Sequence, residues 1–111
     1  MRATPKMVRQ GDILLVPTTA ATITDRHVEV PRRGGAVVLA EGELTGHLHA
    51  IHQPDVRQLA REGATDRVLV ADEPCVLVHD EHSPIPLAPG TYIVRRQREY
   101  DEDGGFTLVT D

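Results

Sequence analysis

Short apolar runs, each followed by turn-forming residues, are the main pattern along this chain. Segments rich in Pro, Gly and Asp separate the runs, and these residues supply the backbone angles and the missing N–H donors that end strands. Runs this short, at this spacing, are typical of β-strands and not of helices. The runs are Ile13–Val16, Val28–Val30, Ala36–Ala40, His47–Ile51, Val56–Leu59, Arg67–Ala71, Cys75–His79, Thr91–Arg96 and Phe106–Val109.

This pattern predicts an all-β fold, a small β-barrel or β-sandwich of about eight short strands. A chain of 111 residues corresponds to one domain, so we expect residues 1–111 to form a single β domain. Two segments leave alternatives open. Residues 58–67 predict either a single helical turn or a hairpin loop at Glu62–Gly63, and the acidic residues 101–111 predict either an edge strand or a loose tail.

Composition narrows the classes of partner. The net charge of −5 argues against a surface that neutralises many phosphates, and the aromatic content of 3% argues against a stacking platform for single-stranded nucleic acid. No apolar run approaches the ~20 residues that span a bilayer, and the first residues lack the apolar core of a secretory signal. We therefore expect a soluble cytoplasmic protein with neither nucleic acid nor a membrane as partner.

The histidines are concentrated in two short windows. The chain has 6 histidines, and all but His27 fall in GELTGHLHAIH, residues 42–52, or in HDEH, residues 79–82. Side chains alternate along an extended strand, so His47 and His49 are predicted to share one face, with Cβ atoms roughly 6.5 to 7 Å apart. His52 has the opposite parity and is expected to be exposed, as is His27. A bend before Pro84 is expected to turn His82 back toward His79.

This arrangement predicts a site for one divalent transition metal ion, Zn, Fe or Mn. Such a site needs three or four neutral imidazoles or carboxylates that converge on one point. Asp80 or Glu81 would orient the ligands or act as a general base. Two metal-free interpretations stay open: a polar cluster in which the HDEH loop caps itself with its own carboxylates, and unrelated surface histidines. The predicted ligands are His47, His49, His79 and His82.

The strand TYIVRRQREYD adds a candidate anion site. Its alternation puts Val94, Arg96 and Arg98 on one face, which starts apolar and ends cationic. The forked donors of Arg96 and Arg98 are predicted to bind a small anionic ligand, and with Glu81 they are the candidate catalytic residues. The alternative is a solvated strand end whose arginines pair with Glu and Asp residues. Cys75, inside an apolar run, predicts a buried inert thiol, with a soft metal ligand as the alternative.

Two resemblances rest on these motifs. GELTGHLHAI, followed by HDEHSPIPLAPGTYIVRRQREY, resembles a family of small bacterial proteins of unknown function with GHxH, HEEH and PGxYxVxRQREY signatures, which extends from QGDILLVP through Tyr100. Asp80 stands where that pattern usually has Glu. The resemblance implies a common fold and a common site at the four histidines, and it implies no activity.

The second resemblance is to the cupins, in which an HxH pair, a Glu and a later His bind a metal inside a jelly roll. It rests on the HxH pair after a glycine and on the turn at Pro89–Gly90. The chain departs from the pattern at Gln53, where a cupin has Glu, and its other histidines precede the turn. Two function classes follow from the sequence: a metal-dependent enzyme acting on a small anionic substrate, and a non-catalytic interaction or structural module, for example a homodimer joined through an exposed edge strand.

Overall fold

The computed structural model describes residues 3–42, 45–100 and 106–108; for 98–100 and 106–108 it describes the backbone. Across this part of the chain there are twelve β-strands, a single 3-10 turn at Ala20–Thr22 and no α-helix. None of the described segments is a helix long and apolar enough to cross a membrane. The strands are β1 (Val8–Gln10), β2 (Ile13–Thr18), β3 (Val28–Glu29), β4 (Val37–Glu41), β5 (Leu48–Ile51), β6 (Val56–Ala60), β7 (Arg67–Ala71), β8 (Cys75–Leu77), β9 (Ile85–Leu87), β10 (Gly90–Arg96), β11 (Arg98–Tyr100) and β12 (Phe106–Leu108).

One antiparallel sheet forms the frame of the domain. Its strand order is β1-β2-β10-β7-β6-β3, with β10 paired along its length to β2 and β7. Three two-stranded sheets, β4-β5, β8-β9 and β11-β12, complete the described structure. The prediction of a small all-β domain is confirmed. The described sheets do not close into a barrel, and the strands are more numerous than predicted because short segments such as Ile85–Leu87 carry little apolar signal.

The core lies between the large sheet and the β4-β5 and β8-β9 pairs. Aliphatic side chains from β2, β4, β5, β7, β8 and β10 pack there, together with the buried ring of Tyr92. Burial of each large aliphatic side chain contributes about 1.5–3 kcal/mol to folding, so this cluster is the main source of stability. Its fully buried members include Leu15, Ile51, Leu69 and Leu77.

The structure describes part of the two segments, residues 58–67 and 101–111, for which the sequence left alternatives open. Residues Val56–Ala60 and Arg67–Ala71 pair antiparallel, with Gly63 at φ +82° in the turn, so the hairpin prediction is confirmed and the helical turn is wrong. Within 101–111, Phe106–Leu108 pairs antiparallel with Arg98–Tyr100, and the remaining residues lie outside the described part. The strand predicted to run unbroken past Arg96 is interrupted at Gln97, whose backbone N–H donates to the carbonyl of Asp12.

Candidate histidine site

The two histidine windows are neighbours in space. Ala50 of β5 and Val78, just after β8, form an isolated antiparallel bridge with hydrogen bonds of 3.0 and 2.9 Å between their backbones. Extending this register by one residue sets His49 opposite His79, and extending it by three sets His47 opposite Glu81. The bridge between Ala50 and Val78 therefore brings together two windows that lie about thirty residues apart in the sequence.

The imidazole rings of both windows form one group around His79. The ring centroid of His79 lies 4.3 Å from that of His49, 4.7 Å from that of His82 and 5.6 Å from that of His47. His49 and His82 have centroids 6.2 Å apart. The structure therefore brings together the four residues that the sequence singled out, and it leaves His52, which is exposed, and His27 outside the group.

No metal geometry is preformed in this group. Within the described residues, no set of three or more His, Cys, Asp or Glu side chains is arranged to hold a metal ion. The metal site and its ligands therefore stay predictions.

The inner side of the group is a buried network of Gln10, Asp12, His49 and Arg96, which we call the inner network. His49 is 0% exposed; its Nδ1 lies 2.9 Å from Gln10 Oε1 and its Nε2 lies 3.3 Å from Asp12 Oδ1. Asp12, also 0% exposed, accepts a 2.6 Å hydrogen bond at Oδ2 from Arg96 Nε. Both nitrogens of His49 therefore face protein groups.

The amide of Gln10 places a proton on Nδ1 of His49. Its nitrogen donates to the carbonyls of Leu77 and Ser83, both at 3.1 Å, so its oxygen must be the atom that faces His49. An amide oxygen only accepts, hence His49 Nδ1 carries a proton and donates. Gln10 thereby joins the end of β8 to the residue before Pro84.

We call the other side chains the outer cluster: His47, with Asp80 and Glu81 near it, and His82 of the same loop, whose ring lies beside that of His79. His47 Nδ1 lies 3.6 Å from Glu81 Oε1, and its Nε2 lies 4.0 Å from Asp80 Oδ2. The side chain of His47 is 27% exposed, whereas the two carboxylates are 67% and 60% exposed. These contacts are longer and more exposed to solvent than those of the inner network.

His79 stands between the two sides and shapes the loop. Its Nδ1 accepts the backbone N–H of Glu81 at 3.0 Å and that of His82 at 3.3 Å. The loop thus caps itself through an imidazole, where the metal-free interpretation invoked carboxylates. In a neutral ring that accepts at Nδ1, the proton lies on Nε2.

Several buried polar atoms of the group make no hydrogen bond. Within the described residues, Asp12 Oδ1, His47 Nδ1 and His82 Nε2 are buried and lack a hydrogen-bond partner. Native proteins pair the large majority of such atoms, and an exception calls for an explanation such as water or an ion. Three exceptions in one place mark this group as unusual.

The candidate catalytic residues are spread over both sides. Glu81 belongs to the outer cluster. Arg96 belongs to the inner network, where its Nη2 also donates to the carbonyl of Glu41 at 2.8 Å, and the side chain of Arg98 lies outside the described part. Cys75 is buried, and desolvation raises the pKa of its thiol to about 11, so it stays protonated at neutral pH.

Sequence reasoning missed Gln10 and Asp12. Both lie in QGD, which has the composition of a turn; Gln10 is the last residue of β1, and Gly11 and Asp12 form the turn to β2. The available signal was parity: Gln10 shares the face of buried Val8 across a three-residue strand. A polar residue in register with a buried apolar one is a candidate for a buried hydrogen bond.

Fold and site together define a small all-β domain in which a buried histidine–carboxylate–arginine network supports a histidine-bearing loop. The chain belongs to the family described as Domain of unknown function DUF8820, whose model matches residues 9–97. This confirms the predicted membership of a family of unknown function, and the matched range contains both histidine windows. No curated protein and no solved structure matches the chain.

Proposed function

We propose that this domain binds one divalent transition metal ion, Zn²⁺, Fe²⁺ or Mn²⁺, at the outer cluster. The proposed ligands are the imidazoles of His47 and His82 and one carboxylate of the Asp80–Glu81 pair. Two imidazoles and a carboxylate are a ligand set that suits Fe²⁺ and Zn²⁺. The proposal narrows the four-histidine prediction to the side chains whose nitrogens are open to a ligand.

The observation that carries the proposal is the pair of buried imidazole nitrogens without a hydrogen bond. His47 Nδ1 and His82 Nε2 have no partner within the described residues. A bound cation would give both a partner, and it would draw in Glu81, whose Oε1 is 3.6 Å from His47 Nδ1. The carboxylates of Asp80 and Glu81 are more than half exposed, so they are free to rotate toward an ion.

His49 and His79 support the ligands in this proposal. The nitrogens of His49 face Gln10 and Asp12, and its Nδ1 is a donor. His79 uses the lone pair of Nδ1 for backbone N–H groups, so its Nε2 carries the proton and offers no lone pair to a metal. Both rings are therefore better suited to fixing the loop than to binding the ion.

The catalytic form of the proposal is activation of water. An ion held by His47, His82 and one carboxylate would act as a Lewis acid and lower the pKa of a water molecule bound to it. Whichever of Asp80 and Glu81 does not bind the ion would be the general base.

Metal analysis of the protein without an affinity tag tests the proposal. The parent and the variants His47→Ala, His82→Ala and His52→Ala are incubated with each of the three ions and desalted, and bound metal is measured per chain by mass spectrometry. We expect about one ion per chain in the parent and in His52→Ala, which alters an exposed histidine beside the same strand. The other two variants should lose it. If the parent protein retains none of the three ions, the proposal is wrong.

The alternative is a metal-free structural or interaction module. It is favoured by the backbone hydrogen bonds of His79 and the engaged nitrogens of His49, which give two of the four histidines a structural use. In that case no stoichiometric metal is bound and thermal stability is unchanged by a chelator. A metal with a structural role would instead show a large loss of stability on chelation, and a catalytic one a small loss.

A further inference from the structure

A groove of about 630 Å³ has Arg96 in its lining and none of the histidines. It lies between β4 and the end of the large sheet where β2, β10 and β7 meet. Volumes of 300–1,000 Å³ are typical of small-molecule sites. We propose that this groove binds a small aliphatic carboxylate, such as a medium-chain fatty acid.

The floor of the groove is apolar. Ile13, Leu39 and Val94 line it, with exposed fractions of 1%, 7% and 5%, and all belong to the main core. Val30, Val38 and Ala40, which are partly exposed, also line the groove and offer its accessible hydrocarbon surface. An aliphatic chain that covers it gains about 0.8 kcal/mol for each buried CH₂ group, which is a reason to expect a ligand with an alkyl body.

The rim is cationic. Three arginines, Arg33, Arg67 and Arg96, stand there with two carboxylates, Glu41 and Asp66. Each carboxylate already has a partner: Glu41 is 3.0 Å from Arg33, and Asp66 is 3.0 Å from an arginine of β10, Arg95.

Arg67 differs from the other two arginines of the rim, which are paired with carboxylates. The carboxylate of Asp12 holds Arg96 at 2.6 Å, while no described acidic side chain lies within ion-pair distance of Arg67. A guanidinium binds a carboxylate through two parallel hydrogen bonds. A ligand carboxylate at Arg67 with its alkyl chain over Val94 would satisfy both surfaces, since Arg67 and Val94 are paired across β7 and β10.

Octanoate is the probe, followed by NMR of the methyl groups and backbone amides. Acetate lacks the chain and octylammonium carries the opposite charge, so they separate the apolar and charged contributions. We expect octanoate to shift the methyl signals of Ile13, Leu39 and Val94 and to bind at least about tenfold more tightly than either control. Equal binding of octylammonium, or octanoate shifts that fall outside the groove, would overturn the proposal.

Variants assign the charge to Arg67. Arg67→Ala should weaken octanoate about tenfold and Arg67→Lys by less, because a lysine keeps the charge without the fork. Arg57→Ala, on exposed β6 surface away from the groove, is the matched control and should bind like the parent. Arg33→Ala provides a second route if Arg67→Ala fails to fold, because it frees the carboxylate of Glu41 to repel the ligand. Parent-like binding in both Arg67→Ala and Arg33→Ala would exclude the site.

The groove does not depend on the metal proposal. All titrations use protein stripped of metal and are repeated with His82→Ala, which removes a proposed metal ligand that does not line the groove. Loss of metal binding with intact octanoate binding, or the reverse, therefore distinguishes the failure of one proposal from the failure of the other.

Discussion

The inner network and the outer cluster contain the same kinds of side chain in opposite environments. His49 and Asp12 are fully buried and lie 3.3 Å apart; His49 is 2.9 Å from Gln10, and Asp12 is 2.6 Å from Arg96. His47 and Glu81, by contrast, lie 3.6 Å apart, and both side chains are in part exposed to solvent. A histidine beside a carboxylate is therefore a structural element in one place and a candidate ligand set in the other.

The difference follows from solvent. Removing one partner of a buried charged pair leaves the other uncompensated and costs about 3–5 kcal/mol, whereas an exposed ion pair contributes about 0–1 kcal/mol. The inner network thus holds the fold, and the outer cluster is free to change its contacts when a ligand arrives. Substitutions should separate these two behaviours.

The largest effect is expected from Asp12→Ala. This change leaves Arg96 and His49 facing a buried gap where the carboxylate was, and we expect the free energy of unfolding to fall by about 3–5 kcal/mol. Urea denaturation followed by circular dichroism measures it. Asp66→Ala, which removes the exposed partner of Arg95, is the control and should cost about 1 kcal/mol or less. Similar losses in the two variants would mean that Asp12 is not part of a tight buried pair.

A somewhat smaller effect is expected from His49→Ala. The substitution leaves a cavity in the buried region and removes a partner from both Gln10 and Asp12, so we expect a loss of about 2–4 kcal/mol. His52→Ala, three residues further along the same segment and exposed, should change stability by no more than about 0.5 kcal/mol. If both variants unfold at the same urea concentration as the parent, His49 is not a buried anchor.

The third expected effect concerns Gln10. Its side chain makes three hydrogen bonds, to His49, Leu77 and Ser83, so Gln10→Ala should cost about 1–3 kcal/mol and loosen the loop that follows β8. Gln53 is the comparison, because its side-chain oxygen accepts one bond, from the backbone of Val76. Hydrogen exchange at the amides of Glu81 and His82 should rise in Gln10→Ala and stay unchanged in Gln53→Ala. Unchanged exchange in both would remove Gln10 from the support of the loop.

The alternation of apolar residues was enough to predict an all-β domain and most of its strands. Runs such as Arg67–Ala71 and Thr91–Arg96 are long enough to carry the pattern and match β7 and β10 closely. The strand Ile85–Leu87 has a proline at its centre and an apolar residue on each side of it, which is too short a pattern to predict a strand. Its pairing with β8 depends on contacts between residues that are distant in the sequence. The order of the strands in the large sheet is a long-range property for the same reason.

The sequence was enough to predict which histidines form the site, but not the role of each one. Counting histidines located His47, His49, His79 and His82, which the structure groups around His79. The division into buried and exposed sides depends on Asp12 and Gln10, some forty residues upstream of His49. No spacing rule links a β1-β2 turn to a histidine on β5, because that contact is created by the packing of the small sheets on the large one.

The smallest effect on stability is expected in the outer cluster, and it is the most informative one. His47→Ala removes a partly exposed side chain and Glu81→Ala an exposed one, both with long contacts, so each should change the free energy of unfolding by no more than about 1 kcal/mol. Under the metal proposal, His47→Ala abolishes stoichiometric metal at nearly unchanged stability, whereas His52→Ala changes neither quantity and Asp12→Ala lowers the free energy of unfolding. Because denaturation and metal content are measured on the same preparations, a loss of stability in His47→Ala as large as that in His49→Ala would show that the cluster is a single structural unit and that its two sides do not differ.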